Sequence, residues 1–326
     1  MMTRRHLLKV SAAGVAVSAA GLVPQGIAQP SMKTAHILTG FTPGLPDTVA
    51  RVIAGQLKNY ADSIVIEPRP GAGGRIAAEA VKTAAADGSV MLFAPLGFVM
   101  LFPHVYKTLR YEPQDFTPVS TAVSFPTLLT VGPKVPSEVR TLADFIAWCR
   151  ANPKHATYGT AGVGTTLHFI GAMLGRTAGF EFLHVPYQGG AAIQDLLKGE
   201  IASAIMPIGS SLSLVQSGDL RALATTGPRR SSFLPDVPTM AETGYSLLED
   251  LTWFGFFVPA KTPADKVERL NSAIQDALRT HDTKSGMAKL FVEIDAIPMG
   301  DFAGLIASES ERWKAIVRET GFTPTD

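Results

Sequence analysis

The 326-residue chain has a single cysteine, Cys149. That excludes an intrachain disulfide and any cysteine-based metal cluster. It is also poor in charge: Asp, Glu, Lys and Arg make up 17 % of it, against 46 % apolar residues, so it is a folded and not a disordered chain. The formal net charge is only +1, which gives none of the basic footprint that nucleic-acid binding needs. Beyond the first 28 residues no run is long and apolar enough to span a bilayer. There is no G-x-S-x-G elbow, no S-x-x-K and no H-E-x-x-H, and the seven histidines are scattered. Neither serine-hydrolase chemistry nor a zinc site is indicated, and no cofactor, metal or catalytic residue is expected.

Residues 1–28 carry Arg4, Arg5 and Lys9 and no acid, followed by the mildly apolar "VSAAGVAVSAAGLV". This reads as an export signal with small residues for cleavage after Ala28. Paired arginines with weak hydrophobicity suit the twin-arginine route, and an ordinary secretory signal is the alternative. Its removal leaves a net charge of −2 and a protein expected in the periplasm.

The rest alternates between strand and helix patterns. A strand over 34–41 leads into "DTVARVIAGQLKNYA", with Val49, Val52, Ile53 and Leu57 on one helical face. "SIVIE", the helix "IAAEAVKTAAA" and a strand in "DGSVMLFAPLG" follow. A second unit of this kind begins near Ala156, and the third strands end alike in Pro95-Leu96-Gly97 and Pro207-Ile208-Gly209. This is the pattern of an α/β protein with two mainly parallel sheets flanked by helices and a ligand cleft between them. Thr141 and Asp144 have the spacing of a capping box, and Thr262 stands before the helix that follows Pro263. Cys149 shares a helical face with Leu142, Phe145 and Ile146, a core position. The apolar strands near 125–131 and 252–258 are candidate chain crossings. The expected division is 31–127 plus 252–326 as a discontinuous first domain, with 128–251 inserted as the second.

One stretch carries chemistry. "YGTAGVGTTLHF" has the glycine spacing of a P-loop in Gly159 and Gly164, with Thr166 at the Ser/Thr position, but Thr165 stands where the lysine belongs. Nucleotide hydrolysis is therefore not expected. A Gly-rich turn into a helix still presents unpaired N–H groups and a positive dipole end, which suffice for a carboxylate. Thr165 and Thr166 either add hydroxyl donors or cap the helix. His168, one turn in, supports the loop, touches ligand or packs. Asp47 is either the N-cap of the first helix or a ligand contact.

The chain resembles the Bug family, the substrate-binding proteins of tripartite tricarboxylate transporters. The resemblance rests on "GFTPGLPDTVAR" (40–51), "EPRPGAGGRIAAEAV" (67–81), "ADGSVMLFA" (86–94), "YGTAGVGTTLHF" (158–169), "HVPYQGG" (184–190), "GDLRALATTGPRRSSFLPDVPTMAETG" (218–244) and "WFGFFVPAKTP" (253–263), in family order. It implies a two-domain periplasmic-binding-protein fold closing on a small carboxylate, with no enzymatic activity and membrane permease subunits as partners. Such a carrier is by default a monomer. A ligand-binding module feeding a sensor is the alternative, and an exported hydrolase a remoter one. The residues expected at the ligand are Phe41, Thr42, Gly44, Asp47, Thr160, Ala161, Gly162, Thr165, Thr166, Tyr187 and Ser210, with backbone amides mattering more than side chains.

Three departures from the family pattern bear on the ligand. The first loop, Phe41-Thr42-Pro43-Gly44-Leu45-Pro46-Asp47, is one residue shorter than F-x-P-G-G-G-x-D and poorer in glycine. The turns Ala94-Pro95-Leu96-Gly97-Phe98 and Met206-Pro207-Ile208-Gly209-Ser210 are apolar where relatives are polar. The expectation is a carboxylate with an apolar or aromatic body, and a poor site for citrate.

Overall fold

The computed structural model describes residues 32–41, 44–188 and 190–324. The export segment with its cleavage point at Ala28, and Thr42, lie outside the described residues. In chain order the first run is β1 (Met32–Thr39), α1 (Leu45–Ala54), β2 (Ala61–Pro68), α2 (Arg75–Lys82), β3 (Val90–Pro95), α3 (Gly97–Met100), α4 (Phe102–Val105) and β4 (Phe116–Phe125). The second run is β5 (Thr127–Val131), α5 (Leu142–Ala151), β6 (Thr157–Thr160), α6 (Thr166–Ala178), β7 (Leu183–Pro186), α7 (Ala191–Leu197), β8 (Ser203–Pro207), α8 (Leu212–Ser217) and β9 (Arg221–Thr225). The chain then returns through β10 (Thr252–Pro259), α9 (Ala264–Arg279), α10 (His281–Lys289), β11 (Glu293–Ile294) and α11 (Met299–Thr320).

Two sheets result, ordered β11-β4-β10-β3-β1-β2 and β7-β6-β8-β5-β9. The pairs β1–β2, β1–β3, β6–β7 and β6–β8 are parallel. β10 runs against both of its neighbours, and β5 against both of its own. The first sheet is buried on both faces, and period-2 alternation divides its side chains. Met91, Phe93, Phe254 and Phe256 pack with Val49, Ile53, Leu270 and Ile274 of α1 and α9. Leu92, Ala94 and Phe257 face Ala78, Val81, Phe302 and Trp313 of α2 and α11. That second layer is continuous with the core of the other sheet, which includes Leu129 and Ile205.

Local signals hold where their chemistry is complete. Thr141 accepts from the Asp144 amide at 3.1 Å while the Asp144 carboxylate accepts from the Thr141 amide at 3.0 Å. Cys149 is buried beside Phe145, and burial pushes its thiol up to about 12. Thr262 does not cap α9. Pro263, extended at φ −56° and ψ 142°, takes the cap position, and the Thr262 hydroxyl is buried without a partner.

Only Pro126 separates β4 in one sheet from β5 in the other. The returning chain is laced to this crossing. The Thr127 amide donates to Thr226 Oγ1 at 2.9 Å, and the Thr226 amide donates to the Thr127 carbonyl at 3.0 Å. Thr226 Oγ1 in turn donates to the Asp250 carbonyl at 2.8 Å. Arg312 of α11 closes the junction. It lies 3.2 Å from Asp250 Oδ1 and 2.9 Å from Glu309 Oε2, and donates to the Glu249 carbonyl at 2.5 Å. Asp250 is 4 % exposed, and burial pushes its carboxyl up to about 7 against the pull of Arg312.

Removing Arg312 takes charged hydrogen bonds from the Asp250 carboxyl and the Glu249 carbonyl, a class of change that costs roughly 1.5–3 kcal/mol. Arg312→Ala is expected to lower unfolding free energy in urea on that scale, and Asp250→Asn in the same chain is expected to recover part of it. A loss within about 0.5 kcal/mol, the range of an ordinary surface change, would contradict the role given to this pair.

Candidate functional site

Among the strands that run through a turn into a helix, three bear on the site: β1 into α1, β3 into α3, and β6 into α6. Ligands of open α/β sheets sit at such carboxyl ends. The loop between β6 and α6 is the most organised of the three. Gly162 (φ +146°) and Gly164 (φ +73°) hold backbone conformations that residues with a Cβ rarely adopt. Thr165 caps α6, accepting from the His168 amide at 3.3 Å and donating to the Gly162 carbonyl at 3.0 Å. Thr160 is fully buried, and its Oγ1 donates to the Gly162 carbonyl at 3.2 Å. It also lies 2.7 Å from His184 Nε2, within hydrogen-bond distance.

Two histidines lie under this loop. The Gly164 amide donates to His168 Nδ1 at 3.2 Å, which fixes that nitrogen as unprotonated and puts the ring proton on Nε2. The rings of His168 and His184 stack with centroids 4.1 Å apart. Burial pushes His168 down to about 4. Burial and then the neighbouring His168 push His184 down to about 3. Both rings are neutral near pH 7, so they hold the loop's shape without adding charge.

With the His168 amide capped, the helix offers no partner to the N–H groups of Thr166 and Leu167. They stand at the positive end of a 13-residue helix. Facing them is the start of α3: a Cβ at Gly97 would lie 4.0 Å from Thr166 Cγ2. The loop after β1 is seated on the loop after β2. A Cβ at Gly40 would fall 2.3 Å from Gly74 Cα, and the Phe41 ring lies over Gly74. Gly44 is the N-cap residue of α1.

The expected residues therefore divide. Thr160, Ala161, Gly162, Thr165 and Thr166 form one loop, with Phe41 and Gly44 on the first lobe. Asp47 is not the N-cap. α1 starts two residues earlier, at Leu45, because Pro46 already has helical φ. Asp47 falls inside the first turn and forks onto Arg51 at 2.9 and 3.2 Å. Tyr187 joins the loop through its amide, which donates to the Thr160 carbonyl at 2.9 Å, while its hydroxyl donates to Asp195 at 3.0 Å. Ser210 is exposed on the turn after β8, which leaves the sheet at the same end as the glycine loop and whose Gly209 packs against Leu290 and Phe291. Leu96, Phe98, Met206 and Ile208 are core residues, 0 to 4 % exposed, so the apolar turns do not line the cleft with those side chains. Gly97 and His184 were missed as candidates, although both lie in motifs singled out above. Tyr106 carries no sequence signal at all.

Residues 49–322 match the model of the tripartite tricarboxylate transporter family receptor. Protein BugT of Bordetella pertussis is 32 % identical over 322 residues, covering 94 % of this chain and 96 % of that protein. The solved structure of Rpa4515 from R. palustris with adipate is similar at a TM-score of 0.82 and 30 % identity, covering 90 % of this chain and 98 % of that one. The periplasmic binding protein BugD is similar at a TM-score of 0.81 and 26 % identity, covering 91 % and 100 %.

The histidine pair makes a direct prediction. Both folded-state values lie below the ordinary one, so the neutral rings favour the folded state at neutral pH. That contribution is lost as pH falls below about 6.5 toward the folded values. In an NMR titration the His168 and His184 ring signals are expected to keep neutral shifts down to about pH 5, with His168 as the Nε2–H tautomer. Titration of either ring near the ordinary value would contradict the arrangement.

Proposed function

The chain belongs to the tripartite tricarboxylate transporter receptor family, and from that premise we propose that it is a periplasmic solute-binding protein for a small carboxylic acid. The acid is held in the cleft between the two lobes and delivered to the membrane permease subunits of a tripartite tricarboxylate transporter. The observation that carries this reading is the uncapped start of α6 at Thr166 and Leu167, facing the start of α3 at Gly97. Backbone N–H groups at a helix start bind an anion without a lysine. The adipate held by the relative Rpa4515 supports a carboxylate in particular. The reading includes export under the leader of residues 1–28, and the domain division at 31–127 plus 252–326 and 128–251. It needs no reaction and no cofactor.

For the body of the ligand we keep the apolar preference, but on different residues. Leu96 and Phe98 are core, so the apolar surface offered to a ligand comes from Phe41, Ala161 and Val163 in the two loops. Closure would move the lobes about the crossing at Thr127, Thr226 and Asp250, a hinge between packed sheets.

A ligand that binds only the folded state raises its melting temperature by mass action, by about 2.7 kcal/mol of stability at a hundredfold excess over Kd. Against adipate, malate, benzoate and citrate, the mature protein is expected to respond to acids with apolar bodies and least to citrate. Thr166→Pro tests the backbone claim: proline is favoured at the first helical position and removes only the N–H. It is expected to abolish the shift, while Thr166→Ala keeps it, with the ligand-free melting temperature unchanged in both. A larger response to citrate would end the apolar-body reading. An undiminished response in Thr166→Pro would end the amide cradle.

A further inference from the structure

Tyr106 follows α4 in the first lobe and reaches the glycine loop of the second. Its hydroxyl donates to the Val163 carbonyl at 3.3 Å. A Cβ at Gly164 would lie 3.0 Å from that hydroxyl oxygen, and a Cβ at Gly73 would lie 3.8 Å from it. The hydroxyl thus sits where glycines from opposite lobes come together. Gly164 is buried between exposed Val163 and half-buried Thr165, beside Tyr106 and Val105 of the other lobe. The ring is held from two sides: Phe102 meets it edge-on at 5.2 Å, and the Arg75 guanidinium lies 3.8 Å over its face. Arg75 is itself fixed by donating to the Ala72 carbonyl at 2.9 Å. A cation over an aromatic face is attracted by the ring quadrupole, so Arg75 orients Tyr106 without engaging its hydroxyl.

The peptide between Val163 and Gly164 is therefore gripped at both ends. His168 of the same lobe takes its N–H, and Tyr106 of the opposite lobe donates to its carbonyl. The first contact is internal to the second lobe and survives any lobe motion. The second exists only while the lobes are together. We propose that Tyr106, oriented by Arg75, is a positioning residue that couples lobe closure to the shape of the glycine loop. It stabilises the closed arrangement and slows the departure of a bound acid. The part of this that concerns the acid rests on the solute-binding reading; the coupling of closure to loop shape does not.

Tyr106→Phe removes the hydroxyl and keeps the ring for Arg75 and Phe102. One net hydrogen bond corresponds to a roughly 2- to 10-fold shift in an equilibrium. In ligand-free protein, amide exchange over 161–165 is expected to quicken by about that factor, with a larger radius of gyration by X-ray scattering and an unchanged urea midpoint. Arg75→Gln is expected to act in the same direction but less. With adipate as probe, dissociation should quicken by about 2- to 10-fold while association is unchanged. Exchange and scattering identical to those of the unsubstituted protein would overturn the proposal. If adipate binds neither protein, the carboxylate reading loses its support, while the ligand-free measurements still decide the role of Tyr106.

Discussion

The contact on which the rest depends is the lacing of Thr127, Thr226 and Asp250 where the chain passes between its two sheets. The outward crossing is a single residue, Pro126, and hydrogen bonds tie it to the two ends of the returning segment at Thr226 and Asp250. Two adjacent crossings define one pivot, and the loops after β3 and β6 leave the two sheets at that same end, so they are constrained to face each other. Arg312 adds a third element to the pivot from outside, because α11 packs on α3 and α4 of one lobe and on α6 of the other. Holding a buried carboxylate there is costly in a low-dielectric interior. Asp250 is tolerated because Arg312 lies on one oxygen, though its other oxygen has no partner. A single junction thus carries both the covalent path of the chain and the one ion pair among the described residues whose carboxylate is enclosed.

On the proposed reading, the cleft beside this pivot would recognise its acid through backbone and not through charge. Where a P-loop would place lysine, Thr165 caps the helix and leaves the next two amides without a partner in the helix. A lysine would add a compact charge suited to phosphate, whereas aligned N–H groups suffice for a carboxylate. Beneath the loop, a protonated imidazole would break the bond from the Gly164 amide. Burial prevents that by holding both histidines neutral. The result is a rigid donor array with little local charge, in a chain whose overall charge is nearly balanced.

Much of this was legible in the sequence because its signals are local. The glycine spacing at 159 and 164, the reciprocal Thr141–Asp144 cap and the helical face around Cys149 need only near neighbours. Strand alternation was legible too, but it does not encode direction, so nothing announced that β5 and β10 run against their neighbours. Asp47 was misplaced because a residue good at capping is also good in the first turn, and Pro46 shifted the helix start. Leu96 and Phe98 looked like cleft residues because position in a motif does not reveal which way a side chain turns. Tyr106 was invisible for a different reason: its partner Val163 lies 57 residues away in the other lobe. Contacts made between lobes leave no periodicity to read.

The central claim is that an acid is held by amides at the facing starts of α6 and α3. The most direct test is a backbone amide NMR titration of the mature protein with adipate. The account predicts the largest shifts at Ala161, Thr165, Thr166 and Leu167 in one lobe and at Gly97 in the other, saturating together. Shifts confined to another surface, such as the apolar groove of about 510 Å³ lined by Phe233, Leu278 and Met287, would contradict it.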